Sequence, residues 1–194
     1  PIRTVRNHGY LSQGYLGHLN AWENNELSLD VNYSLADGTA LNGSFLHMQV
    51  RRLDGTWSNH YSLLTAFGDG MIYALKMTRK QAIKKIRQLT KQIENNHPGV
   101  LVFNFHPQNI SDTYQLHQEV LKINRRPGWI SLGLESYLNW LEIKDKIELK
   151  KVNNQWTLTC PETVRGLVIR FPTNKGWKYQ AIPEFTGEFT LSIN

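Results

Sequence analysis

The sequence predicts an α/β fold with parallel strands, followed by a small β module, and three observations carry that expectation. From about residue 10 to residue 145, helical and extended patterns alternate, the order that lays parallel strands beneath crossover helices. Val100-Leu101-Val102-Phe103-Asn104-Phe105 is almost continuously apolar, as suits a strand covered on both faces. After Asp145 short strand patterns separated by turns take over. The expected division is therefore 1–145 and 146–194.

Each element has its own signal. Leu16, Leu19 and Trp22 form an apolar stripe that predicts a helix over 15–24, closed by Asn24-Asn25. Leu27 to Tyr33 alternates with period two and predicts a strand. Ala36-Asp37-Gly38 and Asn42-Gly43 are turn chemistry, and a strand is expected over 45–53 before the turn at Asp54-Gly55. The strongest helical pattern runs from Thr78, a capping residue, through Ile83, Ile86, Leu89 and Ile93 to about Asn96. His97-Pro98-Gly99 ends it. Ser111 is expected to cap a helix through Leu116, Val120, Leu121 and Ile123, broken by Arg125-Arg126-Pro127-Gly128. Trp129 to Leu132 reads as a short strand and 134–143 as a helix. Beyond Asp145, strands are expected over 147–152, 156–160, 167–171 and 189–193, with a hairpin turn at Asn153-Asn154. A module this small should dock on the α/β part.

Composition narrows the class. The 194 residues are 40% hydrophobic and 20% charged, which excludes a disordered chain and leaves material for a real core. No apolar run reaches the roughly 18 to 20 residues that span a bilayer. The net charge of +6 raises nucleic acid as a partner, but much of the excess lies on Arg79-Lys80, Lys84-Lys85, Arg87 and Lys91, which reads as the wet face of one helix. With no nucleic-acid motif present, nucleic acid is not the expected partner. Cys160 is the sole cysteine, so no internal disulfide or cysteine-based zinc site exists, and its strand-like setting predicts a buried structural thiol.

Three places carry candidate chemistry. His106, in Asn104-Phe105-His106-Pro107, lies at the C-terminal end of an expected buried strand, where reactive side chains gather in parallel α/β folds. A histidine can serve there as general acid or base, and a strand-end histidine bonded to a carbonyl is the plain alternative. Arg6, in Arg6-Asn7-His8 after an expected strand, can hold a carboxylate with two prongs or be an ordinary surface arginine. Asp69 stands between Gly68 and Gly70, where a turn residue is the ordinary reading. His18, His47, His60, His97 and His117 show no helical metal-pair spacing, and neither a nucleophile elbow nor a phosphate-binding loop is present.

Taken in order, several segments resemble divergent polysaccharide deacetylases of the carbohydrate esterase 4-like, nodulation-type family. They are Val5-Arg6-Asn7-His8, Gly14-Tyr15 with the helix carrying Trp22, Leu29-Asp30-Val31-Asn32-Tyr33, Asp69 before the Thr78 helix, Gly99 to Pro107, and Trp129-Ile130-Ser131 before Leu134 to Leu141. The resemblance spans about residues 3–145. It implies a distorted (β/α) barrel, of which this chain would be the C-terminal portion, and removal of acetyl groups from glycans. By similarity of position it makes His106 the catalytic acid, Arg6 the residue that orients the catalytic base and Asp69 the residue that supports it. It further implies substrate contacts at His8, Trp22 and Trp129, a divalent metal such as zinc, a polysaccharide partner, and a location outside the cell or in its envelope.

The departure from the family is as informative. The chain has no early Asp-Asp pair and no His-x-x-x-His, so the metal ligands would belong to a preceding segment or a second chain, and this chain alone should not turn over. The alternative expectation is a non-catalytic carbohydrate-binding or interaction domain. It rests on Trp57, Tyr61, Trp156 and Trp177, which can stack on sugar rings or simply pack in a core.

Overall fold

A computed structural model describes residues 2–6, 17–34, 45–94, 99–152, 155–174 and 176–191. The expected turns at 36–38, 42–43 and 153–154 lie outside these residues, as do His97 and Pro98. The chain divides into two units, Pro1–Glu135 and Ser136–Asn194.

The first unit is organised by a strand that the sequence patterns did not reveal. Its elements are β1 (Thr4–Val5), α1 (Leu19–Asn24), β2 (Leu29–Ser34), β3 (Met48–Arg51), β4 (Trp57–Gly68), α2 (Asp69–Ala74), α3 (Arg79–Glu94), β5 (Val102–Asn104) and α4 (Ile110–Asn124). β4 is the 12-residue centre of the sheet, with β2 on one side and both β3 and β5 on the other. β1, β2, β4 and β5 are parallel and lie side by side in chain order, whereas β3 is antiparallel to β4. The parallel strands therefore deliver their C-terminal ends to one edge of the sheet, where active-site side chains collect in such folds.

Helices α3 and α4 cover this sheet. The Thr78 hydroxyl accepts from the Gln81 amide at 3.3 Å, and the Gln81 side-chain oxygen accepts from the Thr78 amide at 2.7 Å. That reciprocal capping box starts α3 where the sequence places it. Ala82, Ile86 and Leu89 then pack with Leu116 and Ile123 of α4 against Ala66 and Phe67 of β4. The basic residues of α3 stay on the outer face. Arg87 leaves that pattern in part by making a two-pronged pair with Glu119 of α4 at 2.7 and 3.0 Å.

Several elements differ from expectation. Asp69 is no turn residue; it opens α2, which had no signal of its own. α4 begins at Ile110, one residue before Ser111, because a 3-10 turn over Pro107–Asn109 leads into it. Residues 129–132 form no strand. Of the expected 45–53 strand only β3 is regular, while Phe45 makes a lone parallel bridge to Gly99. A Cβ on Gly99 would stand 2.3 Å from the Phe45 Cβ, so only glycine fits there.

The second unit contains the rest of α5 (Leu134–Lys144) and five strands, β6 (Glu148–Val152), β7 (Gln155–Val164), β8 (Val168–Thr173), β9 (Gly176–Ala181) and β10 (Phe185–Leu191). β6, β7 and β10 form an antiparallel sheet in the order β10-β7-β6, and β8 and β9 pair as a separate hairpin. Its core is Leu158, Cys160, Val164, Ile182, Phe185 and Leu191. Cys160 is buried as expected. Gly187, at φ +80°, marks the register shift where the extra residues of β7 bulge against β10.

Candidate functional site

The C-terminal ends of β4 and β5 bring two of the sequence-predicted residues into contact. Gly68 pairs with Asn104 in the parallel register, so Asp69 emerges just past the end of β4 and His106 two residues past the end of β5. Pro107 disfavours helical backbone at His106, which is extended at φ −91° and ψ 133° before the 3-10 turn. That turn carries Asn109 back over the strand ends. The buried Asp69 carboxylate then accepts from His106 twice, at 2.9 Å from the backbone amide and at 2.7 Å from Nδ1, and from the Asn109 side-chain amide at 2.9 Å.

This geometry assigns the ring tautomer. With Nδ1–H donating to a carboxylate, Nε2 is the basic nitrogen of the neutral ring, and it becomes the acidic N–H when the ring is protonated. The ring is 29% exposed whereas the Asp69 side chain is fully buried, so the pair is anchored from inside and reaches solvent through the histidine. Burial pushes the Asp69 carboxyl up, but the His106 amide, the Asn109 amide and the His106 ring together outweigh it and hold the group below its ordinary value of 3.8.

A depressed carboxylate contributes stability above its unfolded value and loses it as pH falls through its lower folded value. The stability gap between the wild type and Asp69→Asn is therefore expected to remain open from pH 7 down to about pH 4 and to close only below that. Urea unfolding across that range tests it; a gap already closing between pH 7 and 5 would contradict it.

The close approach of the two strands depends on Gly68. Its φ of −160° is ordinary extended backbone, but a Cβ there would stand 2.5 Å from the Asn104 carbonyl oxygen. Gly68→Ala is expected to push β5 away, two residues before His106. Overpacking of this kind costs about 1–3 kcal/mol, read by denaturant unfolding. Retention of wild-type stability would show that β5 yields without strain.

The other expected site residues are placed differently. Arg6 follows β1 and is exposed. Val5 is in register with Asp30, and Asp30 with Ser62, which sets Arg6 level with about Leu63. That is roughly six residues, or ~20 Å along the strands, short of Asp69. His8 lies outside the described residues. Trp22, on α1, stacks on the His60 ring at 4.8 Å and 18°. Trp129 packs against the α3–α4 core and donates its indole N–H to Glu94 at the end of α3. α4 begins beside Asn109 and runs 15 residues before Trp129, so the indole sits about 20 Å along that helix from the Asp69–His106 pair. Among the described residues no three His, Cys, Asp or Glu side chains gather as a metal site. The described chain therefore supplies no ligand set that fits the metal the resemblance implies.

Sequence reasoning missed a second polar cluster. Asp30 of β2 and His60 and Ser62 of β4 are all buried side by side. One Asp30 oxygen accepts from the Ser62 hydroxyl and faces His60 Nε2 at 2.8 Å; the other accepts from the Asn32 amide at 2.9 Å. His60 Nδ1 lies 2.9 Å from the Leu27 carbonyl and must donate to it. Both ring nitrogens thus face acceptors. Sealed from solvent and capped by Trp22, the cluster ties β2 to β4.

Compared with protein-family models, with curated proteins and with solved structures, the chain matches none.

Proposed function

We propose that this chain is the C-terminal part of a metal-dependent polysaccharide deacetylase-like protein acting on acetyl groups of a glycan outside the cell or in its envelope. The metal ligands would come from a preceding segment or a partner chain, and the parallel strands would be part of a distorted (β/α) barrel. The observation that supports this reading most is the Asp69–His106 pair at the ends of two adjacent parallel strands. An acid that protonates a departing amine or alkoxide needs a fixed tautomer and a buried anion behind a ring that reaches solvent, and the His106–Asp69 pair provides these. In that role the His106 Nε2–H would deliver its proton to the leaving atom, with Asp69 stabilising the imidazolium that donates it.

Acetate release from N- and O-acetylated glycans by the full-length polypeptide tests the proposal, with this chain alone expected to be inactive. No release from any such glycan would overturn it. The second reading, a non-catalytic carbohydrate-binding domain, is favoured by the exposure of Trp57 (58%) and Trp177 (55%), which do not pack in a core. Glycan binding that survives His106→Ala, without acetate release, would favour it.

A further inference from the structure

The β8–β9 hairpin presents an aromatic, cationic face to which the deacetylation chemistry assigns no role. In its register Val168 faces Ala181, Arg170 faces Tyr179 and Pro172 faces Trp177, so these six side chains share one side of the ribbon. Val168 and Trp177 are each 55% exposed on that side. The Arg170 guanidinium lies 4.0 Å from the Trp177 ring and 5.7 Å from Tyr179. Stacking there holds the guanidinium plane in place and leaves its edge, where the N–H donors point, available to an acceptor.

Two observations say what that acceptor is. Most described arginines outside this face have a carboxylate partner, as in Arg52–Glu23, Arg87–Glu119, Arg126–Glu94 and Arg165–Glu184, but Arg170 has none among the described residues. Of the six side chains on this side of the ribbon Arg170 is the only charged one, and from Arg165 to Ala181 the sequence holds no Asp or Glu. The face is thus complementary to an anion that also offers a flat apolar surface.

We propose that this face binds an acidic, carboxylate-bearing polysaccharide. Arg170 takes the uronate carboxylate in a two-pronged pair, and Trp177 and Tyr179 carry the C–H faces of the pyranose rings. The choice of a glycan rests on the deacetylase reading above; the anionic requirement rests on the hairpin alone.

The test is isothermal titration calorimetry of the full chain with a polyuronate, for the wild type, Arg170→Gln, Trp177→Ala and Trp177→Phe. A neutral glucan, a single-stranded oligonucleotide and vesicles containing phosphatidylglycerol serve as competing probes. Arg170→Gln and Trp177→Ala are each expected to weaken polyuronate binding by about tenfold or more, while Trp177→Phe stays within about threefold. Circular dichroism should be unchanged, since both side chains lie on an exposed face. Equal affinity for neutral glucan, tighter binding of oligonucleotide or vesicles, or unaltered affinity in Arg170→Gln or Trp177→Ala would each overturn the proposal. Hairpin-dependent polyuronate binding by a full-length polypeptide that releases no acetate would leave this site standing and sink the deacetylase reading. Acetate release with hairpin variants that bind normally would do the reverse.

Discussion

Replacing His106 with alanine is expected to lower acetate release by the full-length protein by about 10²- to 10⁴-fold, the usual contribution of a positioned acid or base. The loss should fall on kcat, because the proton is needed in the transition state and not for holding the glycan. His106→Ala removes a ring that is partly exposed and leaves Asp69 its Asn109 and backbone donors. The fold should therefore survive, with circular dichroism unchanged. Asp69→Asn should give a smaller loss together with an altered pH profile, since the amide can leave the ring in the wrong tautomer. Wild-type turnover in His106→Ala, in a protein that does release acetate, would remove His106 from the chemistry.

The largest expected effect on stability lies elsewhere, at Asp30. Asp30→Ala strips partners from His60 Nε2, the Ser62 hydroxyl and the Asn32 amide at once, all in a region sealed from water. Breaking one side of a buried pair typically costs about 3–5 kcal/mol, since the remaining partner is left uncompensated. Ser62→Ala removes one donor and leaves the Asp30–His60 contact, so it should cost about 1–3 kcal/mol. Urea unfolding of the two variants checks both size and order. A cost for Asp30→Ala no larger than for Ser62→Ala would show that His60 does not depend on Asp30.

That cluster also explains where sequence reading failed. Ser58, His60 and Ser62 recur at every second residue, and a polar stripe of period two ordinarily faces water. Here the stripe is buried, because the neighbouring strand brings Asp30 opposite Ser62 in the register, and polar groups satisfy one another across the two strands. α2 was missed for a related reason: its six residues are too few to show a helical period. The strand expected at Trp129 had the right residue types, but its indole instead bonds to Glu94 on a helix.

By itself the sequence determined the features that local chemistry controls. The Thr78–Gln81 cap, the apolar stripe of α3, the buried cysteine and the succession of short strands after Asp145 follow from residue types at fixed spacings. His106 and Asp69 were legible as candidates too, each marked by its place at a strand end or between glycines. Their meeting was not legible, since 37 residues separate them. Only the parallel pairing of β4 with β5, with Gly68 admitting the Asn104 carbonyl, sets carboxylate and imidazole within 2.7 Å. Pairing between distant strands depends on complementary faces, which one strand's sequence does not contain. For that reason the tertiary structure alone decided that β4 is the centre of the sheet, that Asp30 and His60 are partners, and that Trp22 covers a histidine.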